Sequence, residues 1–126
     1  NKGNGLTRQP GHVIDLMATC LDLAHLKYPT QFQNRRPLPI EGKTLAPILR
    51  GKQRPGHDIL AWKNARGRAL MKGDWKIVRP NDKLPWELYD LSADPGETLN
   101  LAQQHPDRVK DMTDRYEIWR QHVGAR

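Results

Sequence analysis

The apolar residues between His12 and Leu26 recur at three- and four-residue spacing, which predicts an amphipathic helix. Pro10-Gly11 precedes this stretch and Tyr28-Pro29 follows it, and both pairs are typical of helix boundaries. The polar residues of the stretch fall on the opposite stripe, and a capping or surface role is predicted for His12 and Asp15. The apolar stripe, in which Cys20 is interpreted as core filler, comprises Val13, Ile14, Leu16, Met17, Cys20, Leu21, Leu23 and Ala24.

A second helical pattern lies near the end of the chain. His105-Pro-Asp marks its start, with proline at the first helical position, and Gly124 is placed to end it. Its apolar stripe comprises Val109, Met112, Tyr116, Trp119 and Val123.

Four short runs between these helices have the composition of β-strands and follow one another like a meander. Lys72-Gly73-Asp74 supplies a tight turn between the second and third, and the alternation puts Trp75 and Ile77 on one face of the sheet. The predicted strands are 59–62, 68–71, 75–79 and 86–91. The fold class is therefore α+β: a small antiparallel sheet of about four strands, packed by the C-terminal helix and preceded by a helix and a long wrapping loop.

The loop runs from Thr30 to Asp58 and has no sustained periodicity. Only Thr44 to Leu49 could form one or two helical turns, with the Thr44 hydroxyl available as a cap.

Composition changes this picture in three ways. Hydrophobic residues make up 37% of the 126 positions and mean hydropathy is -0.83, which argues against a self-sufficient core. The single cysteine excludes an internal disulfide framework, and no apolar run reaches the roughly 20 residues that span a bilayer. The net charge of +7 is scattered along the chain, which favours a solvated surface over an acidic partner or a sulfated substrate.

Several sequence blocks follow one another in a fixed order. Arg68-Ala-Leu-Met-Lys-Gly-Asp-Trp-Lys-Ile-Val78 leads into Trp86-Glu-Leu-Tyr-Asp-Leu91, then Asp94-Pro-Gly-Glu97 and Asn100-Leu-Ala102. His12-Val-Ile-Asp15 and Glu41-Gly-Lys-Thr-Leu-Ala-Pro47 lie upstream of them. In order and spacing these blocks resemble the closing part of sulfatases. The resemblance implies that 1–57 is the last helix and connecting segment of the large sulfatase domain, and that 58–126 is its C-terminal α+β subdomain.

The resemblance implies sulfate ester hydrolysis, of aryl or carbohydrate sulfates, by a formylglycine nucleophile beside a calcium ion. In the family the nucleophile and the calcium ligands both precede the region seen here. The formylglycine is made from the first residue of a Cys/Ser-x-Pro-x-Arg motif. Cys20 lies in Thr19-Cys-Leu-Asp-Leu23 and does not fit that motif. No catalytic residue, metal ligand or cofactor is therefore assigned to this chain, which is predicted to be inactive alone. Its predicted partners are the upstream catalytic domain and a sulfated small molecule or glycan; nucleic acid is disfavoured, and a periplasmic or secreted parent is compatible with the resemblance.

One turn bears on substrate choice. Where related chains often have W-E-H-E-G-N-R-A, this one has Trp62-Lys-Asn-Ala-Arg-Gly-Arg-Ala69, with Asn64 in place of histidine. An amide can donate and accept hydrogen bonds but cannot act as an acid catalyst. The residues assigned to substrate binding are Lys63, Asn64, Arg66 and Arg68. The alternative is that this loop is merely solvated.

Two alternatives to a sulfatase remain open from the sequence. The first is a stand-alone basic module that binds sulfated glycans or nucleic acid through charge and exposed tryptophans. The second is a parent that kept the fold but hydrolyses phosphonate or phosphate esters, or has lost catalysis. The other polar candidates have simpler interpretations, since His57-Asp58 and Asp94-Pro-Gly-Glu97 suit turns and caps.

Overall fold

The computed structural model of the protein describes residues 5–124. They form two compact units that divide between His57 and Asp58, and we call residues 5–57 unit 1 and residues 58–124 unit 2. None of the helices within residues 5–124 combines the length and the apolar character that crossing a bilayer requires.

Unit 2 contains a four-stranded antiparallel sheet in the order β1-β2-β3-β4. The hairpin between β2 and β3 turns at Gly73, whose φ of 58° is a left-handed conformation that glycine adopts without strain. The strands are β1 Leu60–Lys63, β2 Arg68–Lys72, β3 Trp75–Arg79 and β4 Glu87–Asp90.

One face of this sheet forms the core of unit 2. Ala61, Leu70, Ile77 and Leu88 pair directly across the four strands, and each is at most 8% exposed. The final helix, which begins at Pro106 and ends at His122, adds Met112 and Tyr116 to the same cluster. Burying each large apolar side chain contributes roughly 1.5 to 3 kcal/mol. The predicted fold class is confirmed, including the meander and the helix that covers it.

The predicted placement of Trp75 and Trp119 is confirmed, since both pack against the core cluster. Trp86 packs there as well, whereas Trp62 is 38% exposed. One part of the helical stripe was wrong: Val123 lies beyond the last residue of the helix and is 41% exposed.

Unit 1 contains two short helices joined by irregular backbone. These are α1, Asp15–Leu23, and α2, Ala46–Leu49; the helix of unit 2 is α3. The predicted span of α1, 12–26, is too long, because His25 adopts φ 55° and the N–H of Leu26 returns to the carbonyl of Leu21 at 2.9 Å. This left-handed ending stops the helix well before Tyr28-Pro29.

The orientation of α1 is the reverse of the one predicted. Asp15 and Thr19 are 0% and 7% exposed, whereas Leu16 and Met17 are 57% and 58% exposed. Cys20 is exposed as well, so its interpretation as core filler was wrong. In this structure Asp15 and Thr19 of the polar stripe are buried and most of the apolar stripe faces outward, because the Asp15 carboxylate and the Thr19 hydroxyl hold a neighbouring loop.

Candidate functional site

The four residues assigned to substrate binding lie together at the β1–β2 connection. Lys63 ends β1 and Arg68 begins β2. The side-chain oxygen of Asn64 accepts hydrogen bonds from the backbone N–H groups of Arg66 and Gly67, at 2.9 and 2.5 Å. Asn64 therefore shapes the turn, since an amide oxygen that closes an Asx turn substitutes for a backbone acceptor.

Arg68 is also engaged within unit 2. Its guanidinium pairs with the carboxylate of Asp82 in the β3–β4 loop, and its side chain is 21% exposed. The neighbouring Arg79 donates to the carbonyl oxygens of Asp82 and Leu84, each at 2.8 Å. Both arginines hold the β3–β4 loop against the sheet.

Cross-strand pairing places Lys63, Arg68 and Arg79 side by side in one row of the sheet. Lys63 is half-buried, and Arg66 is exposed at the tip of the turn. The structure thus brings Lys63, Asn64, Arg66 and Arg68 together in one region, which we call the basic corner. The side chains of Asn64 and Arg68 are held by internal contacts, and those of Lys63 and Arg66 are held less. Their part in substrate binding stays a prediction.

A second polar centre, which the sequence interpretation missed, lies in unit 1. The carboxylate of Asp15 accepts four hydrogen bonds: from the backbone N–H groups of His12 and Lys43 at 3.0 and 2.8 Å, from Arg54 Nη2 at 2.8 Å, and from His57 Nε2 at 2.7 Å. The side chains of Asp15, Arg54 and His57 are 0%, 3% and 9% exposed. We call Asp15, Arg54 and His57 the Asp15 node. The predicted surface role of Asp15 was wrong, and the turn role of His57-Asp58 omitted this contact.

Arg54 is satisfied beyond its pairing with Asp15. It donates to the carbonyl oxygens of Lys43 at 2.7 Å and Pro10 at 3.0 Å. A buried charge is tolerable only when its hydrogen-bonding capacity is met in this way. The Asp15 node therefore connects the start of α1 with residues 43–57 through side chains that meet from distant parts of the sequence.

The environment of Asp15 favours its ionised form. Burial raises the pKa of the carboxyl, but the hydrogen bonds from Lys43, His57, His12 and Arg54 outweigh burial, and the pKa lies well below its usual range. Asp15 is thus a permanent anion near neutral pH, and its four donors are already used to hold unit 1 together. It is not available as a proton donor in a reaction.

The segment 42–46 lies directly against α1. A Cβ on Gly42 would overlap the backbone carbonyl of Ile14 and lie 3.1 Å from the Cα of Asp15, so only glycine fits this approach. Thr19 donates to the carbonyl of Asp15 at 2.7 Å and accepts from the N–H of Leu45 at 2.9 Å. The Thr44 hydroxyl accepts from Ala46 N–H at 3.1 Å, but the N-cap of α2 is Leu45, so the predicted cap position of Thr44 was wrong by one residue.

The remaining polar candidates have structural roles. Asp94 accepts hydrogen bonds from the backbone N–H groups of Thr98 and Leu99 at 2.7 and 2.8 Å, which confirms the turn part of its predicted role. It caps no helix, because α3 begins only at Pro106. Between residues 5 and 124 no three histidine, cysteine, aspartate or glutamate side chains are grouped so that they could hold a metal ion. These residues do not fit the calcium ion that the resemblance implies for a parent protein, and we derive no step through it.

Unit 1 also forms an open pocket of about 510 Å³ between residues 5–9 and 48–53. Lys52 is the single charged residue among those that line it, and the rest are glycine, aliphatic, threonine and glutamine residues. This lining offers no nucleophile next to a base, so the pocket carries no catalytic arrangement.

Comparisons with known proteins give consistent results. No protein-family model matches the chain. An uncharacterized sulfatase of Schizosaccharomyces pombe is 34% identical over 121 residues, which are 90% of this chain and 22% of that protein. N-acetylgalactosamine-6-O-sulfatase of Bacteroides thetaiotaomicron is 34% identical over 82 residues, 52% of this chain and 16% of that protein. The chain spans about a fifth of the length of these relatives and matches their C-terminal part.

Solved structures agree with the sequence relatives. A sulfatase structure connected with the metabolism of multiple glycosaminoglycans by Bacteroides thetaiotaomicron superposes with a TM-score of 0.64 at 26% identity. The match covers 85% of this chain and 24% of the other. The same part of a much longer fold is therefore matched by sequence and by structure.

Proposed function

Since this chain is homologous to the C-terminal part of sulfatases, we propose that it completes a larger protein that hydrolyses sulfate esters. The observation that carries this proposal is the 34% identity over 90% of the chain to the end of a sulfatase. The shared fold, with a TM-score of 0.64, supports it independently.

The proposed mechanism is that of the family. Residues upstream of this chain would hold a formylglycine, which would supply the nucleophile, and a calcium ion, which would supply positive charge for the sulfate oxygens. The present chain supplies neither, because Cys20 is outside the nucleophile motif and lies exposed on α1. We therefore expect no turnover from these 126 residues alone.

The chain's own contribution is proposed to be the basic corner at the β1–β2 turn. Lys63 and Arg66 offer cations to a sulfated substrate, whereas Asn64 shapes the turn through Gly67 and Arg68 holds the β3–β4 loop through Asp82. A fixed cation at the site raises the local concentration of an anionic substrate and orients that substrate. The proposal thus separates two binding residues from two positioning residues.

A sulfated carbohydrate is the substrate class that we favour. The Bacteroides relative with 34% identity is named for N-acetylgalactosamine 6-O-sulfate. A stand-alone module for glycans or nucleic acid receives no support from these comparisons, in which the relatives named above are all sulfatases. A phosphate or phosphonate ester remains the competing substrate and is included in the test below.

The first experiment is to sequence the reading frame upstream of residue 1 and to express the complete protein. We expect a Cys/Ser-x-Pro-x-Arg motif upstream, and hydrolysis of an aryl sulfate and of sulfated glycan fragments that is lost when the first residue of that motif is replaced by alanine. Faster hydrolysis of the matched phosphate ester, or activity that survives this replacement, would contradict the proposal.

The second experiment addresses the basic corner. Lys63→Ala and Arg66→Ala in the complete protein should each raise KM for a sulfated glycan several-fold with little change in kcat, because they remove binding rather than chemistry. Lys110→Ala, on the exposed surface of α3, is the matched control for lost charge. Equal effects of all three variants would leave the turn with no specific role.

A further inference from the structure

Asp82 is an exposed carboxylate that is held against the basic corner. It lies in the β3–β4 loop, and its side chain is 65% exposed, whereas that of its partner Arg68 is 21% exposed. The two loops involved lie close together, since a Cβ on Gly67 in the β1–β2 connection would be 3.4 Å from the carbonyl oxygen of Pro80. A carboxylate from one loop therefore occupies a guanidinium at the edge of the other and remains open to solvent.

Two neighbouring arginines hold different parts of this loop. Arg79 donates to the backbone carbonyl oxygens of Asp82 and Leu84, each at 2.8 Å, whereas Arg68 contacts the Asp82 side chain. Rotation about the bonds of an exposed side chain is fast and needs no movement of the backbone. The Asp82 carboxylate can thus leave Arg68 while Arg79 keeps the loop backbone in place.

Arg68 is the more firmly placed partner of the ion pair. It begins β2 and is paired across the sheet with Lys63 on one side and Arg79 on the other. Tyr116 of α3 is fully buried close to it: burial raises the pKa of the tyrosine hydroxyl, and the positive charge of Arg68 counteracts that rise. A cation placed by the sheet and the core, and paired with an exposed carboxylate, is suited to exchange one anion for another.

Exchange of this anion requires little free energy. An ion pair with an exposed partner contributes little net stability, because water and dissolved ions screen it. A guanidinium pairs with phosphate as well as with carboxylate, and a sulfate group presents the same tetrahedral set of oxygens as phosphate. An anion arriving from solvent also meets the cations of Lys63 and Arg66 in the basic corner, so the carboxylate of Asp82 is the group that it would displace.

We propose that Asp82 determines substrate specificity by occupying the position of a second anionic group of the substrate. A saccharide that carries such a group, in addition to the sulfate ester that is hydrolysed, displaces the Asp82 carboxylate and pairs with Arg68. A substrate without one leaves the pair of Arg68 and Asp82 intact. The inference rests on the proposed function in placing a sulfated substrate at the basic corner, and it adds the number of anionic groups that this substrate carries.

The test compares two substrates of the complete protein: a disaccharide with one sulfate group and the same disaccharide with two. Asp82→Asn keeps the shape of the side chain and removes its charge. It should lower KM for the disulfated disaccharide about threefold or more with kcat unchanged, and leave KM for the monosulfated one unchanged, because only the second sulfate uses the freed guanidinium. Asp114→Asn on α3 is the matched control, since Asp114 is 60% exposed and is also paired with a cation.

Arg68→Gln in the Asp82→Asn background completes a double-mutant cycle. The lower KM for the disulfated disaccharide should disappear, because no guanidinium remains for its second sulfate. An unchanged or higher KM in Asp82→Asn alone would overturn the proposal and leave Asp82 with the role of holding the loop. An equal fall for both disaccharides, or an equal fall in Asp114→Asn, would also overturn it, because a general loss of negative charge would then explain the result.

Binding measured by calorimetry separates this inference from the proposed function. If the complete protein hydrolyses neither disaccharide, tighter binding of the disulfated one by Asp82→Asn would support the exchange and contradict the enzyme. Hydrolysis of both disaccharides with no effect of Asp82→Asn would support the enzyme and contradict the exchange.

Discussion

Unit 2 buries a contiguous apolar cluster, whereas unit 1 buries chiefly polar and charged side chains. In unit 2 a row of aliphatic residues across four strands meets Met112 and Tyr116 of α3. In unit 1 the buried groups include Asp15, Thr19, Ala46 and the side chain of Arg54, and long apolar side chains such as Val13 and Met17 face outward. Unit 2 therefore has a core of its own, while unit 1 is organised by charge and hydrogen bonds. The comparison teaches that two units of one chain can be stabilised by different interactions.

The largest effect is expected from Asp15→Ala, because it leaves Arg54 buried without a counter-charge and four donors without their acceptor. Removing one partner of a buried ion pair costs about 3 to 5 kcal/mol. In the complete protein, amide hydrogen exchange in residues 43–57 should accelerate accordingly, while exchange in β2 and β3 should stay slow. Thr113→Ala, at a half-buried position on α3, is the control. Equal exchange in residues 43–57 of the two variants would show that the Asp15 node does not stabilise unit 1.

Leu70→Ala should have the next largest effect and should act on the other unit. Leu70 is fully buried at the centre of the sheet, and a leucine-to-alanine cavity costs about 2 to 5 kcal/mol. The faster exchange should now appear in the strands. Leu99→Ala, at a site 59% exposed in the same unit, should change stability by less than about 0.5 kcal/mol. A Leu70→Ala variant as stable as Leu99→Ala would contradict the apolar core described for unit 2.

Asp15→Ala and Leu70→Ala address two regions that differ in how well the sequence predicted them. The strands and α3 were predictable because their apolar residues point into a core within the same segment, so alternation and helical spacing report it directly. The orientation of α1 was not, since the same spacing describes a face that unit 1 leaves exposed. Periodicity identifies which residues avoid water, but it does not identify what they pack against.

The polar centres show a second limit. Arg54 and His57 reach Asp15 from 39 and 42 positions away, and no local period connects such residues. The sequence contained two signals for this centre. One was the polar stripe on the otherwise apolar helix α1, and the other was Gly42, whose missing side chain allows its segment to approach the helix closely. At the candidate turn, the sequence located the four residues but could not reveal that the Asn64 oxygen is used by Gly67.

Gly42→Ala should destabilise unit 1 to an intermediate extent. The added methyl group would overlap the carbonyl of Ile14, and relieving such overpacking costs about 1 to 3 kcal/mol. Gly56→Ala is the matched control, because a Cβ there meets nothing within 4 Å. The measurement is again exchange in residues 43–57. Indistinguishable exchange in the two glycine variants would contradict the close approach of this segment to α1.

The smallest predicted effect is acid sensitivity centred on Asp15. The folded-state pKa of this carboxyl is depressed, so as pH falls the unfolded chain, with a carboxyl of ordinary pKa near 3.8, binds the proton first. The stability that Asp15 contributes is therefore complete above the unfolded value and is lost as pH falls toward the folded one. Between pH 5 and pH 3 this carboxyl should account for a loss of about 1 kcal/mol.

Asp90, Asp94 and Asp111 in unit 2 also have depressed pKa values, but each is held by exposed contacts, chiefly from Ser92, Leu99 and Arg115 respectively. Acid should thus loosen unit 1 before unit 2, because the buried node has no apolar core beside it to compensate. The check is an NMR titration of the Asp15 carboxyl, together with exchange at pH 5 and pH 3 corrected for the intrinsic pH dependence of exchange. A pKa of the Asp15 carboxyl near its ordinary value would contradict the conclusion that the ionised Asp15 side chain stabilises unit 1. Opening of the unit 2 strands before unit 1 would contradict it as well.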